Sequence, residues 1–225
     1  MKKKIVLTFL FILLFPALLF LLAGDGEWPE AWVFTIWFIL LCYITIMYLY
    51  RKDPALLAER YRKPGTGHQE PWDLFVVSGL VAGFTVWIAI MPLDAKRFGW
   101  SPVFPLWIQF IGVAMLAGSF FFFFRSYADN TFLSPLVRIQ DDRKQNLVST
   151  GVYGFVRHPM YLGGVLMFLG TPLLLGSIYG FIAGLVLSVL LIVRIVGEEV
   201  MLLRELEGYR DYCKKVRFRL VPFIW

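Results

Sequence analysis

Long apolar runs separated by polar gaps dominate this chain. Six runs stand out: Ile5–Ala23, Ala31–Tyr50, Leu74–Met91, Pro105–Phe124, Met160–Leu175 and Ile178–Val196. A spanning helix needs about 20 mostly apolar residues, within a usual range of about 17–25. The last two runs are short for a bilayer and are joined only by Gly176-Ser177. They are expected to form a short hairpin that either spans or dips in and returns. The pattern predicts an all-α polytopic membrane protein with about six transmembrane helices. It forms one membrane domain over 1–225: an N-terminal helix pair at 1–50 and a core at 74–225. The core holds a loop at 125–159, the hairpin at 160–196 and a tail at 197–225.

The polar gaps have their own patterns. In Arg51–Asp73, the segment Asp53–Arg60 reads as a short helix with an Asp N-cap and Pro54 at its first position. Its Leu and Ala positions suit an amphipathic segment on a membrane surface. The stretch Arg125–Pro159 is too apolar for a disordered linker. Asn130, Phe132, Ser134, Val137 and Ile139 suggest an extended, partly buried path, and Asp141–Lys144 an exposed turn. A structured loop of this length is usually functional. Beyond the last run, Val200, Leu202, Leu203 and Leu206 continue an apolar helical face, which Gly208 ends or kinks.

Composition sharpens this picture. The chain is 59% hydrophobic and only 17% charged, against roughly 25% charged in soluble proteins. Of its 22 Lys and Arg, all but Lys96 and Arg97 fall on one side when the runs alternate across a bilayer. Positive residues gather inside, so both termini are expected in the cytoplasm. The net charge of +6 then reports topology and anionic headgroups, with no nucleic-acid partner implied. Lys2-Lys3-Lys4 before an apolar run also resembles a signal peptide. The run is long and lacks a clean cleavage site, so a retained helix is expected. Cys42 and Cys213 are too far apart in this scheme to pair, and no Cys/His spacing suggests a metal.

Between Arg157 and Arg194 no residue is formally charged. A hairpin over that gap would bring Arg157-His158-Pro159 to Arg194 and Glu198-Glu199. Pro159 suits the first turn of a helix, which leaves His158 beside free backbone N–H groups and the positive end of the helix dipole, an anion-attracting place. Arg194 and Glu198 share one helix face. Glu199 points about 100° away and is expected to be solvated. Such a pocket offers an anion site, a carboxylate for a cation, a guanidinium and stacking tyrosines. Polar residues gather at one face and the helix interiors are nearly free of ionisable groups, which disfavours a transport path.

The ordered set Leu147-Val148-x-x-Gly151-Val152-Tyr153-x-x-Val156-Arg157-His158-Pro159-x-Tyr161, then Arg194-x-x-x-Glu198-Glu199, then Gly208-Tyr209-x-x-Tyr212 and Pro222, resembles the isoprenylcysteine carboxyl methyltransferase family. Phospholipid N-methyltransferases share its His-Pro and Glu-Glu parts. The resemblance implies an integral membrane methyltransferase moving a methyl group from S-adenosylmethionine to a lipophilic acceptor. The favoured acceptor is the carboxylate of an isoprenylcysteine-like or other isoprenoid or lipid substrate. A phospholipid amine or a small thiol is the enzymatic alternative, and a small transporter or assembly factor the non-enzymatic one. The resemblance further implies that Gln145, Asn146, Leu147, Val148, Tyr153, His158, Pro159, Met160, Tyr161 and Glu198 border the cofactor. Arg194 would face the acceptor, and Arg194 and Glu198 would carry the chemistry, without a metal. It also points to a prokaryotic inner membrane with the site on the cytoplasmic side.

Overall fold

The computed structural model describes the backbone of residues 2–225 and the side chains of residues 4–225. The side chains of Lys2 and Lys3, part of the expected inner charge, lie outside the described residues. The protein is an all-α polytopic membrane protein, and five of its described helices are long and apolar enough to cross a bilayer. These are α1 (Lys2–Ala23), α2 (Pro29–Lys52), α4 (Pro71–Pro92, extended by a π turn, Leu93–Arg97), α5 (Leu106–Asp129) and α7 (Ile178–Glu205). Between them stand α3 (Pro54–Glu59), the shorter apolar α6 (Pro159–Leu175) and, after α7, α8 (Tyr209–Lys215).

Prolines open α2, α3, α4 and α6, where a missing N–H costs nothing. Asp53 caps α3 as expected, its Oδ1 accepting from the Leu56 N–H at 2.9 Å. Leu56 and Leu57 bury against Leu49 of α2 and Tyr127 of α5, so α3 seals the helix ends.

The hairpin departs from expectation in its second arm. The helix α7 has 28 residues, about 42 Å at 1.5 Å per residue, well beyond the roughly 30 Å hydrocarbon core. Its apolar stripe continues past Val196, so two to three turns project beyond the bilayer. The helix α6 has 17 residues and stays short. The turn between them uses Gly176 at φ 79°, a left-handed conformation that glycine adopts without a Cβ penalty. Ser177 caps α7 through Gly180 and donates to buried Asp94 at 2.6 Å.

The membrane core joins Trp28 and Phe34 to Trp87, Leu116, Phe168, Leu187 and Ile195, so α1 and α2 share it with the other helices. Helices α5 and α6 approach closely: a Cβ on Gly112 would lie 2.5 Å from the Leu174 nitrogen and 2.7 Å from the Gly170 carbonyl oxygen. Small residues at such crossings let backbones pack in lipid. A second cluster, of Val137, Met201, Leu202, Tyr209, Tyr212 and Val216, forms a cap where α7 leaves the bilayer. The site lies between these two cores.

Candidate active site

The segment 130–158 is irregular chain with two 3-10 turns, Asp141–Arg143 and Gly151–Gly154. Buried ion pairs hold its course. Arg138 grips Glu59 of α3 with Nε and Nη2, each at 3.1 Å, and reaches Asp142 at 3.0 Å. Burial opposes the charge on Glu59, yet hydrogen bonds from Arg138, Ser134 and Arg62 outweigh it and hold the carboxyl below its usual range. The second turn is tied to α5, because Asp129 Oδ2 accepts from the Val152 N–H at 2.9 Å. It is tied to α8 as well, the Tyr212 hydroxyl donating to the Tyr153 carbonyl at 2.7 Å.

The expected fold-back of the hairpin occurs, but Glu199 closes it. Glu199 is buried rather than solvated: Oε1 accepts from Arg157 Nε at 2.6 Å and lies 3.2 Å from His158 Nε2. Its other oxygen accepts from Arg157 Nη2 at 3.2 Å and Arg219 Nε at 2.6 Å. A 100° rotation from Glu198 aims it inward, because the tail folds over that face of α7. Arg157 Nη1 also donates to the carbonyls of Val216 and Arg217, both at 2.8 Å. His158 sits at the N-cap of α6, whose first turn receives no side-chain cap. Its ring is turned to Glu199.

Glu198 faces into the pocket and accepts from the Tyr161 hydroxyl at 2.6 Å. Its Oε1 has no hydrogen-bond partner among the described residues. Arg194 does not pair with Glu198 along the helix. It pairs with Asp73 of α4, Nε to Oδ1 at 2.7 Å and Nη2 to Oδ2 at 3.2 Å, and Nη2 also donates to the Pro135 carbonyl at 2.7 Å. The two-point edge of the guanidinium, Nε with Nη2, is therefore taken by Asp73. Only Nη1 lacks a partner among the described residues.

Arg194 and Glu198 line one partly open cavity. All the residues singled out from the sequence line it: Gln145, Asn146, Leu147, Val148, Tyr153, His158, Pro159, Met160, Tyr161, Arg194 and Glu198. Gln145 spends its side-chain oxygen on the Gln140 N–H at 2.9 Å. The Tyr153 hydroxyl is buried and unpartnered among the described residues; burial pushes its pKa up, so it stays a phenol. The cavity also includes residues that sequence reasoning missed, among them Asn130, Arg138, Met201 and Leu202. Met201 and Leu202 had a signal, lying three and four residues after Glu198 on one helix face. Arg138 had none.

The chemistry of the donor set fits S-adenosylmethionine. A carboxylate with a free oxygen suits a cation, amides suit its polar ends, and Leu147, Val148, Met160 and Leu206 give apolar walls for a flat ring. Among the described residues no group of three or more His, Cys, Asp or Glu comes together to hold a metal.

Comparison with known proteins agrees in part of the chain and in overall shape. Residues 107–207 match the family model described as phospholipid methyltransferase. The chain is 36% identical over 88 residues to protein-S-isoprenylcysteine O-methyltransferase of Schizosaccharomyces pombe, covering 37% of this chain and 36% of that protein. It is 29% identical over 105 residues to the delta(14)-sterol reductase TM7SF2 of Mus musculus, covering 45% of this chain and 25% of that protein. The matched region thus spans only a quarter to about a third of these curated relatives. The solved structure of a eukaryotic intramembrane Ras methyltransferase, ICMT (isoprenylcysteine carboxyl methyltransferase), shares the fold, with a TM-score of 0.58 at 22% identity over 95% of this chain and 74% of that one. The protein therefore carries the phospholipid methyltransferase sequence pattern over residues 107–207 on a fold like that of isoprenylcysteine carboxyl methyltransferase.

Proposed function

We propose that this protein is an integral membrane methyltransferase that uses S-adenosylmethionine to methylate a lipophilic acceptor, most favourably a carboxylate such as that of an isoprenylcysteine. The observation that carries this reading is the convergence of Glu198, Arg194 and the 145–148 loop on one cavity at a bilayer edge. When bound, S-adenosylmethionine supplies a sulfonium methyl group and leaves as the thioether. Gln145–Val148, Tyr153 and His158–Tyr161 line its berth, and Glu198 sets a negative charge there. Tyr161 fixes that carboxylate at 2.6 Å, so the charge is oriented in advance. Arg194 Nη1 holds one oxygen of the acceptor carboxylate and aims it. A carboxylate is already ionised at neutral pH, so displacement requires alignment and exclusion of water rather than a base. The apolar walls of Leu147, Val148, Met160, Met201 and Leu202 exclude that water.

The chain charge supports placing the site at the cytoplasmic face: the polar cap, both termini and nearly all Lys and Arg share that side. The acceptor would enter sideways from lipid and the cofactor from water. The family model's description favours one second reading, an amine acceptor, in which Glu198 would take the amine proton. Purified protein in lipid nanodiscs with methyl-labelled S-adenosylmethionine separates these. Label released by base as methanol marks an ester, and base-stable label marks an amine or thiol. Wild-type protein that neither binds cofactor nor transfers label refutes both.

A further inference from the structure

We infer that Asp73 is a positioning residue for this methyl transfer: it fixes the Arg194 guanidinium so that Nη1 faces the acceptor, and it withholds Arg194 from Glu198. The inference rests on the proposed function. Asp73 stands in the first turn of α4 and is completely buried, at 0% exposure. Both its oxygens are occupied: Oδ1 accepts from Arg194 Nε, and Oδ2 accepts from Arg194 Nη2, from the Val137 N–H at 2.9 Å and from Gln69 Nε2 at 2.7 Å.

A guanidinium has five N–H donors in a rigid plane. Asp73 and the Pro135 carbonyl engage the Nε donor and Nη2, and the ring of Tyr161 lies with its centroid 5.9 Å from the guanidinium carbon. The plane therefore cannot turn without breaking a buried two-point ion pair, and the edge left toward the cavity is Nη1. The same carboxylate holds Val137, in the wall of the cavity. One side chain thus sets the acceptor arm and the cofactor loop in register.

Charge gives the second part. Arg194 and Glu198 are four residues apart on α7, close enough to pair. Such a pair would spend the charges on both sides of the reaction at once. Asp73 satisfies Arg194 from α4 instead, and Glu198 is left with one unpartnered oxygen for a cation. Without Asp73, the cavity becomes more positive and Arg194 is free to swing toward Glu198. Either change disfavours the sulfonium cofactor more than its neutral-sulfur product, because the two ligands differ there by one charge.

The test uses the full chain in lipid nanodiscs. Wild type, Asp73→Asn and Asp73→Glu are compared for binding of S-adenosylmethionine and S-adenosylhomocysteine, and for kcat and KM with N-acetyl-S-farnesylcysteine. For Asp73→Asn, the preference for S-adenosylmethionine over S-adenosylhomocysteine should fall by about tenfold. Its kcat should fall by about 100-fold through lost alignment, while KM for the carboxylate stays within about threefold because the freed guanidinium still binds it. Asp73→Glu should restore the ligand preference and recover only part of kcat. Equal weakening of both ligands with a raised KM, not rescued by Asp73→Glu, would mark a plain structural staple and overturn the inference. So would wild-type kcat and ligand preference in Asp73→Asn. If Asp73→Asn does not fold, Asp73→Glu decides alone: unchanged kcat overturns the inference, and lowered kcat with retained ligand preference supports it. Wild-type protein that neither binds these ligands nor transfers a methyl group refutes the proposed function and this inference together, whereas an active wild type with an indifferent Asp73 refutes this inference alone.

Discussion

Glu199→Ala should loosen the cap around the cavity before it touches any chemistry. In the native protein the Glu199 and Arg157 side chains are 4% and 6% exposed and meet at 2.6 Å. Removing the carboxylate leaves Arg157 buried, with the carbonyls of Val216 and Arg217 as acceptors but no counter-charge. Breaking a buried pair from one side costs about 3–5 kcal/mol. Arg219 is 37% exposed, so water replaces its partner and it adds about 0–1 kcal/mol. For a domain of this size, 1 kcal/mol moves Tm by roughly 2–4 °C, so a fall of about 6–24 °C is expected. Thermal unfolding in nanodiscs reads it, and hydrogen exchange should localise the loss to 151–158 and 209–219. Glu199→Gln keeps one acceptor and should cost less, about 1.5–3 kcal/mol. A Tm fall below about 3 °C for the alanine variant would refute the view that this carboxylate holds the His158 turn to the tail.

The neighbouring carboxylate should behave in the opposite way. Glu198→Ala is expected to keep Tm within about 2 °C, since one oxygen has no partner among the described residues. Its affinity for S-adenosylmethionine, read by calorimetry, should fall by roughly 10–100-fold, about 1.4–2.7 kcal/mol. Gly151→Ala should destabilise the Tyr153 turn by about 1–3 kcal/mol, because Gly151 has φ 60° and its Cβ would lie 2.0 Å from Asp129 Oδ2; faster proteolysis of the 130–158 loop would report it. Acid should loosen the same loop through Glu59. Its folded pKa is lowered from 4.5, so its stabilisation is complete above that pH and is lost as pH falls through the depressed value. Hydrogen exchange across 134–142 should show an acid transition in wild type that Glu59→Gln, already looser at pH 7, lacks.

The chain's hydrophobic runs specify much of this architecture without tertiary information. Spanning helices must satisfy their backbone internally, so each long apolar run becomes a helix, and proline and aspartate at run boundaries mark the starts of α2, α3, α4 and α6. Pro159, Met160 and Tyr161 are legible for a related reason, because placing His158 at a helix start places the residues that follow it, whereas Gln145–Val148 and Tyr153 are pointed to only by the family resemblance of the ordered motif. Arg194 and Glu198 follow from helical periodicity, which fixes which positions share a face.

Periodicity does not say what covers a face. Glu198 and Glu199 are adjacent and chemically identical. One opens into a cavity and the other is buried under Arg157, Arg219 and Tyr209 only because the tail folds back across α7. Arg194 has Glu198 within reach along its own helix, yet its partner is Asp73, 121 residues earlier, which the packing of α4 against α7 brings beside it. Arg138 meets Glu59 by the same kind of long-range closure. The sequence by itself determined where helices run and which local motif faces the bilayer edge, because those depend on spacing. The tertiary structure decided which charge neutralises which, because a buried ion pair is set by the nearest partner in space, and that distance is absent from the order of residues.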